Sequence, residues 1–475
     1  QGSFDITTGS VFVFDNSPVI KNHSNYSDLS CPDPNDYPAN CGYGNEADFQ
    51  NEPIYEFFNS GGYSISASGP LTIFGFSGTV ELSVPDDGDS YQWYKDGAAI
   101  TGANSNIYLA TETGNYYVEL TFGATVLTTP SITFSYLNPE LWLKGDAGIS
   151  VSGSDVTQWD DNSENAFTAS QPASSTRPVY FNNGNDHNFN FKPYISFNGS
   201  SDRLALDNSY NSKDFDQVYV FSVFKTDESV GGGFDNWAFI DYDRSEFFNS
   251  YVRADNGYLG FSYNGSSVND AEGTTPVNDD QPHISLTLYD NSNIDDEQIF
   301  VDGRLELSYD REATGYQIGT NSNTRYGFIG DGSEASSFNN GTNNNYYDGE
   351  LAEIIYFRNR SFDFTELNRI FSYLAVKYGI ELNMDDDVST PAFDERDYHA
   401  SDNTVIWDYS ESAGYNSRVA GIGRDDAMGL NSLKSKSIEP GSTLEIEKTS
   451  SIDNDLNFIV WGNNDGEGLN ANSPA

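Results

Sequence analysis

GELAEIIYFRNRSFDFTELNRIFSYLAVKYGIEL, residues Gly349–Leu382, holds two hydrophobic periods side by side. The first third is an apolar run of the strand kind, rich in Ile, Tyr and Phe. The rest places Leu367, Ile370, Phe371, Leu374, Ala375 and Tyr378 at the i, i+3, i+4, i+7 spacing that lays one stripe of a helix against a core. Asp363 with Glu366 three residues on fits a capping-box start, and Gly379 suits a left-handed stop. The spacing therefore predicts one packing helix, and the surrounding sequence predicts strands.

Across the 475 residues only 37% are apolar, yet 31 Tyr and 32 Phe supply much of that share. Aromatic and β-branched runs broken by Gly, Asn, Asp and Ser favour sheets, so the expected class is all-β with several domains. Lys and Arg number 23 against 72 Asp and Glu, a formal net charge of −49. Such a surface repels phosphate backbones and anionic headgroups, which argues against nucleic acid as a partner and against adhesion to anionic lipid. Dense carboxylates either keep a protein dispersed or gather hard cations, so Ca²⁺ is the expected cofactor. No run reaches the length of a membrane span, so direct membrane insertion is not expected. Cys31 and Cys41 stand in a Pro-rich polar loop without CxxC spacing. A disulfide closing that loop suits an oxidising, extracellular setting. The start at Gln1 suits a mature end, and the chain reads as a portion of something longer.

Residues 1–62 alternate short apolar runs with Pro- and Asn-rich loops, an irregular strand-containing cap. Residues 63–136 carry strand-like runs at the spacing of a small sandwich. There the chain resembles an immunoglobulin-like domain: Trp93 in "YQWYKDG" stands where strand C keeps its core Trp, and Tyr116 in "TGNYYVEL" where the tyrosine corner lies. Leu82 and Val118 occupy the positions of the usual disulfide, so apolar packing is expected in its place. Residues 137–382 hold longer antiparallel strands with Asp-Gly and Asn-Gly turns. "SFNGSSDRLAL", "IFVDGRLEL" and "GELAEIIYFRN" resemble the laminin G-like and concanavalin A-like jelly-roll superfamily, in which the last strand runs into a short helix. More narrowly, "LWLKGDAG" and "YLAVKYGIEL" look like the laminin G-like modules of secreted surface proteins of Bacteroidetes. Residues 383–475 match the β-rich segment that follows the helix there.

That resemblance implies adhesion rather than catalysis, with glycan or surface protein as partner and a type IX system as export route. Enzymes resembling this fold set two acids on one strand face in E-x-D-x-x-E or E-x-D-x-E runs. Here only Glu350 and Glu353 share the closing strand, and their odd spacing predicts opposite faces, so the chain is not expected to be an enzyme. His23, His187, His283 and His399 show no metal-ligand spacing. By resemblance to lectin rims, the loops "GGGFDNWAF" and "IGDGSEASS" offer Asp235, Asn236, Asp331 and Glu334 to Ca²⁺, and Trp237, Tyr346 and Tyr347 to a sugar face. The same residues also read as solvated turn acids and core aromatics. A subunit or tip of a fibre that packs against copies of itself, and an accessory binding module or enzyme of polysaccharide degradation, are the other classes left open.

Overall fold

The computed structural model describes residues 63–464 apart from 76–77, 211–215, 231–235, 244–245, 264–269, 293–295, 310–323 and 384–396. Cys31 and Cys41, with the whole expected cap, lie outside the described residues. The protein is all-β and multi-domain, with one α-helix among the described residues. Contacts divide the chain into two compact units: Thr79–Ser135 with the residues before Thr72, and Thr72–Gly78 with the chain from Tyr136 on.

In the first unit, Ser90–Lys95 and Gly114–Phe122 pair antiparallel, aligning Trp93 with Val118. Trp93, Leu82, Tyr116 and Val118 are all buried, so apolar side chains fill the centre as the sequence predicts. Two polar atoms go inside with them and both are satisfied. Trp93 Nε1 donates to the Ser105 carbonyl at 2.8 Å, and the Tyr116 hydroxyl donates to the Glu112 carbonyl at 2.6 Å.

In the second unit the principal strands are β1 (Leu141–Lys144), β2 (Leu204–Tyr210), β3 (Gln217–Lys225), β4 (Asn236–Asp241), β5 (Phe248–Arg253), β6 (Tyr258–Tyr263), β7 (Asp270–Pro276), β8 (His283–Asp290), β9 (Glu297–Val301), β10 (Arg304–Tyr309), β11 (Arg325–Ile329) and β12 (Asp348–Arg358). The helix α1 spans Phe364–Tyr378. One sheet runs β1-β12-β3-β8-β9-β10 and the other β2-β11-β4-β5-β6-β7, all antiparallel. Short flanking strands close the hydrogen-bonded path on itself. A core rich in Phe, Tyr, Val and Leu fills the space between the sheets.

A second core lies on the other face of the β1-β12-β3-β8 sheet. There α1 packs with Phe371 against Phe221 and Phe300, at ring separations of 5.3 and 6.0 Å. This explains why β3 is apolar along most of its length. Val218, Val220 and Phe224 face the first core, and Tyr219, Phe221 and Val223 face the second. The helix ends are as predicted: the Asp363 and Glu366 side chains form the capping box, and Gly379 takes φ 69°. What the stripe alone understates is burial on several sides. Val419, Met428 and Leu430 from the chain beyond residue 396 join the same core, so the stretches separated at residue 382 by sequence texture share one interior. Among the described residues no helix is long and apolar enough to cross a membrane.

Candidate functional site

The closing strand β12 departs from simple alternation. Its register with β3 slips between Val223, opposite Glu353, and Phe224, opposite Leu351, leaving Ala352 as the extra residue of a bulge. Leu351 and Ile354 both face the inner core, so the odd spacing of Glu350 and Glu353 does not separate them. The bulge turns both toward the outer face, a correction to the alternation argument. The Glu353 carboxylate is then met by four donors from β1 and α1: Trp142 Nε1 at 2.5 Å, Tyr373 OH at 2.8 Å, Lys377 Nζ at 2.8 Å and Tyr378 OH at 2.7 Å. Lys377 also donates to Asp146 at 2.9 Å. Burial pushes the Asp146 carboxyl up, but Lys377 and Lys144 outweigh it and hold the group down at about 2. Burial and the nearby Lys377 bring Lys192 down to about 8. Glu350 stands apart from this network. Burial, together with Asp227, Asp280 and Asp348 and against Lys225, raises it to about 7.

The residues read as lectin-like do not assemble as the resemblance implies. Asp235 lies outside the described residues, and Asn236 opens β4 opposite Arg253. Trp237 and Tyr347 belong to the inner core. Tyr347 is fully buried, its ring edge-on to Phe239 at 5.2 Å and its hydroxyl donating to the Lys225 carbonyl at 2.7 Å. Neither ring offers a face to a sugar; both are used to fill the sandwich, the reading left open beside the functional one. Tyr346 is half-buried and donates to Asn344 Oδ1 at 3.3 Å. Glu334 is exposed, whereas Asp331 is fully buried, because Ser333 and Ala335 turn inward on the strand Ser333–Ser337 and Glu334 between them turns out. The two acids therefore do not share a site. Among the described residues no group of three or more His, Cys, Asp or Glu could by itself hold a metal ion.

Asp331 instead sits against polar groups that the sequence reading missed. One of its carboxylate oxygens accepts from Arg203 at 3.3 Å and from the Thr342 hydroxyl; the other, Oδ1, has no hydrogen-bond partner among the described residues. Burial raises the group to about 6, against the lowering effect of Thr342 and Arg203. Asp241, at the end of β4, is buried too, and burial with Asp243 and Asp331 nearby pushes it well above the usual carboxylate range. Asp241 is register partner to Asn249 of β5. The signal for both was available: Asp and Asn within runs as apolar as "WAFID" and "FFNSYV" are depleted in strands and call for a reason.

At the other end of β8, His283 is held between Asp302 and Asp279, at 2.8 and 3.1 Å. Burial lowers its pKa, but the two carboxylates more than offset this and raise it to about 10. Glu439, beyond α1, is raised to about 7 by burial and by Asp302 and Glu381.

A family model described as a domain of unknown function, DUF8202, matches residues 366–475, from inside α1 to the end. No curated relative matches the chain. Among solved structures, the binding domain of Paraclostridial Mosquitocidal Protein 1 is similar at 10% identity and a TM-score of 0.34, over 50% of this chain and 52% of that one. The chain thus spans about half the length of that domain. The CBM40 of the Ruminococcus gnavus IT-sialidase bound to α2,3-sialyllactose is similar at 13% identity and TM-score 0.25, covering 33% of this chain and 82% of that chain. Domain 4 of a GH43 extracellular arabinanase from Geobacillus stearothermophilus, in complex with arabinotriose, is similar at 10% identity and TM-score 0.29, covering 46% and 92%.

Proposed function

We propose that this chain is a non-catalytic extracellular adhesin: an immunoglobulin-like domain and a laminin G-like jelly roll displayed at a cell surface, calcium-stabilised, contacting glycan or protein. Export by a type IX secretion system of Bacteroidetes belongs to the same reading and rests on the sequence resemblance. The observation that carries the non-catalytic part is the state of Glu353. This acid lies on the closing strand beside Glu350, but three neutral donors and the Lys377 ammonium occupy it beneath α1. A carboxylate so engaged has no free lone pair for a substrate, and its contribution is to lock helix to sheet. The test is capture of glycans and of whole cells by the purified chain, in parallel with release of reducing sugar. Binding without release fits; sugar release from any polysaccharide would overturn the reading.

A specific observation favours self-association as the second reading. Among the described residues Ile107–Ala110 pairs with one neighbour, Val80–Ser83, and its Ile107 and Leu109 side chains are 44% and 51% exposed. An exposed edge with apolar alternation invites strand addition. Filaments formed by the wild type and abolished by Leu109→Lys would move the assignment to a fibre subunit.

A further inference from the structure

We propose that Asp241, Asn249 and Asp331 hold one hard divalent cation, calcium, on the outer face of the β4-β5-β11 sheet. The site deepens the adhesin reading by assigning the place where calcium stiffens the jelly roll, and rests on that reading only for the choice of calcium.

Register sets two of the three side by side, and a turn supplies the third. Ile240 faces the inner core, so Asp241 turns outward, as does its partner in β11, Phe328, which packs on the outer face with Ala205 and Ala335. Asn249 lies directly opposite Asp241 in β5, and opposed residues of antiparallel strands carry their side chains on the same face about 5 Å apart. Asp331 arrives from the turn after β11, where the Gly330 amide donates to the Phe239 carbonyl at 3.0 Å. That turn brings the Ser333 amide and Asp331 itself against the Asp241 carboxylate.

All three side chains are essentially inaccessible, and all three keep unused ligand atoms. Asp241 Oδ2, Asp331 Oδ1 and both amide atoms of Asn249 have no hydrogen-bond partner among the described residues. A buried carboxylate oxygen or amide without a partner is strongly disfavoured, and here Asn249 stands opposite Asp241 in register while Asp331 is close enough to act on the Asp241 carboxylate. Carboxylate and amide oxygens are the ligands that a hard divalent cation takes. The set differs from the rim loops of the sequence reading: it keeps Asp331 and replaces Glu334 by strand residues.

Chelator-stripped protein titrated with calcium chloride, followed by calorimetry and thermal unfolding, tests this. Wild type is expected to bind calcium and gain melting temperature, Asp241→Asn and Asp331→Asn to weaken binding at least tenfold, and Glu334→Gln to leave it unchanged. A crossover guards against misfolding. In chelator, Asp241→Asn should melt above wild type because buried repulsion is relieved; in calcium it should melt below. An undiminished calcium shift in the Asp241→Asn/Asp331→Asn double variant would overturn the site, as would the absence of any shift in wild type, the result of two carboxylates sharing a proton. Glycan and cell capture, measured separately, reports on the adhesin reading, so the two failures are distinguishable.

Discussion

Two buried clusters in the second unit put opposite demands on charge. Glu353 meets Lys377 with every oxygen engaged, so Glu353→Gln leaves the buried ammonium with Asp146 as its remaining carboxylate partner. A loss of about 3 kcal/mol, the lower end for a broken buried pair, is expected, measured by chemical unfolding at constant pH. Around His283 the expectation concerns pH. Its folded pKa is raised to about 10 by Asp302 and Asp279, so the stability it contributes is complete below about 6.5 and disappears as pH rises through about 10. Glu439, raised to about 7, adds a loss in the same direction between its ordinary value and 7. Lys192, lowered to about 8, opposes this loss above pH 8, so the melting temperature should fall from pH 6 to pH 8, and His283→Gln should flatten that slope. A slope unchanged in that variant would contradict the assignment. Apart from Asp279, four residues from His283, these partners were not legible in the sequence, because His283 meets Asp302 across 19 residues and Glu353 meets Trp142 across 211.

The helix is the element the sequence described best. Its cap, stripe and stop are all local signals, and local signals survive folding. Asp363→Ala should cost about 1 kcal/mol by exposing first-turn amides. Gly379→Ala should cost more than the strain of a left-handed backbone alone, since an added Cβ would stand 2.6 Å from the Lys436 carbonyl oxygen. Both are read as shifts in denaturant midpoint. In the first unit, Tyr116→Phe removes one satisfied hydrogen bond and should cost about 1 kcal/mol. The strand β12 was harder to read. Period-2 reasoning assumes an unbroken pleat, and the bulge at Ala352 undoes it in a way that composition does not announce.

At the scale of the molecule, the residues beyond α1 are structural partners of the jelly roll. Val419, Met428 and Leu430 complete the second core, so a chain ending at Leu382 should expose an apolar face, bind hydrophobic dyes and aggregate. A soluble, dye-silent truncation with wild-type melting would refute this. The family model that begins at residue 366 spans the same continuity, from helix into the terminal strands.

Sequence by itself determined the class of fold, the packing helix α1 with both its ends, and the apolar centre around Trp93 and Tyr116, because each follows from periodicity and propensity over a few residues. Only the tertiary structure decided which polar residues meet. Register set Asp241 opposite Asn249, and the turn after β11 buried Asp331 while strand alternation turned Glu334 out to solvent. Trp237 and Tyr347 became core through packing that no spacing encodes. Side-chain burial and pairing depend on contacts between residues distant along the chain, and those exist only once the sheets have closed.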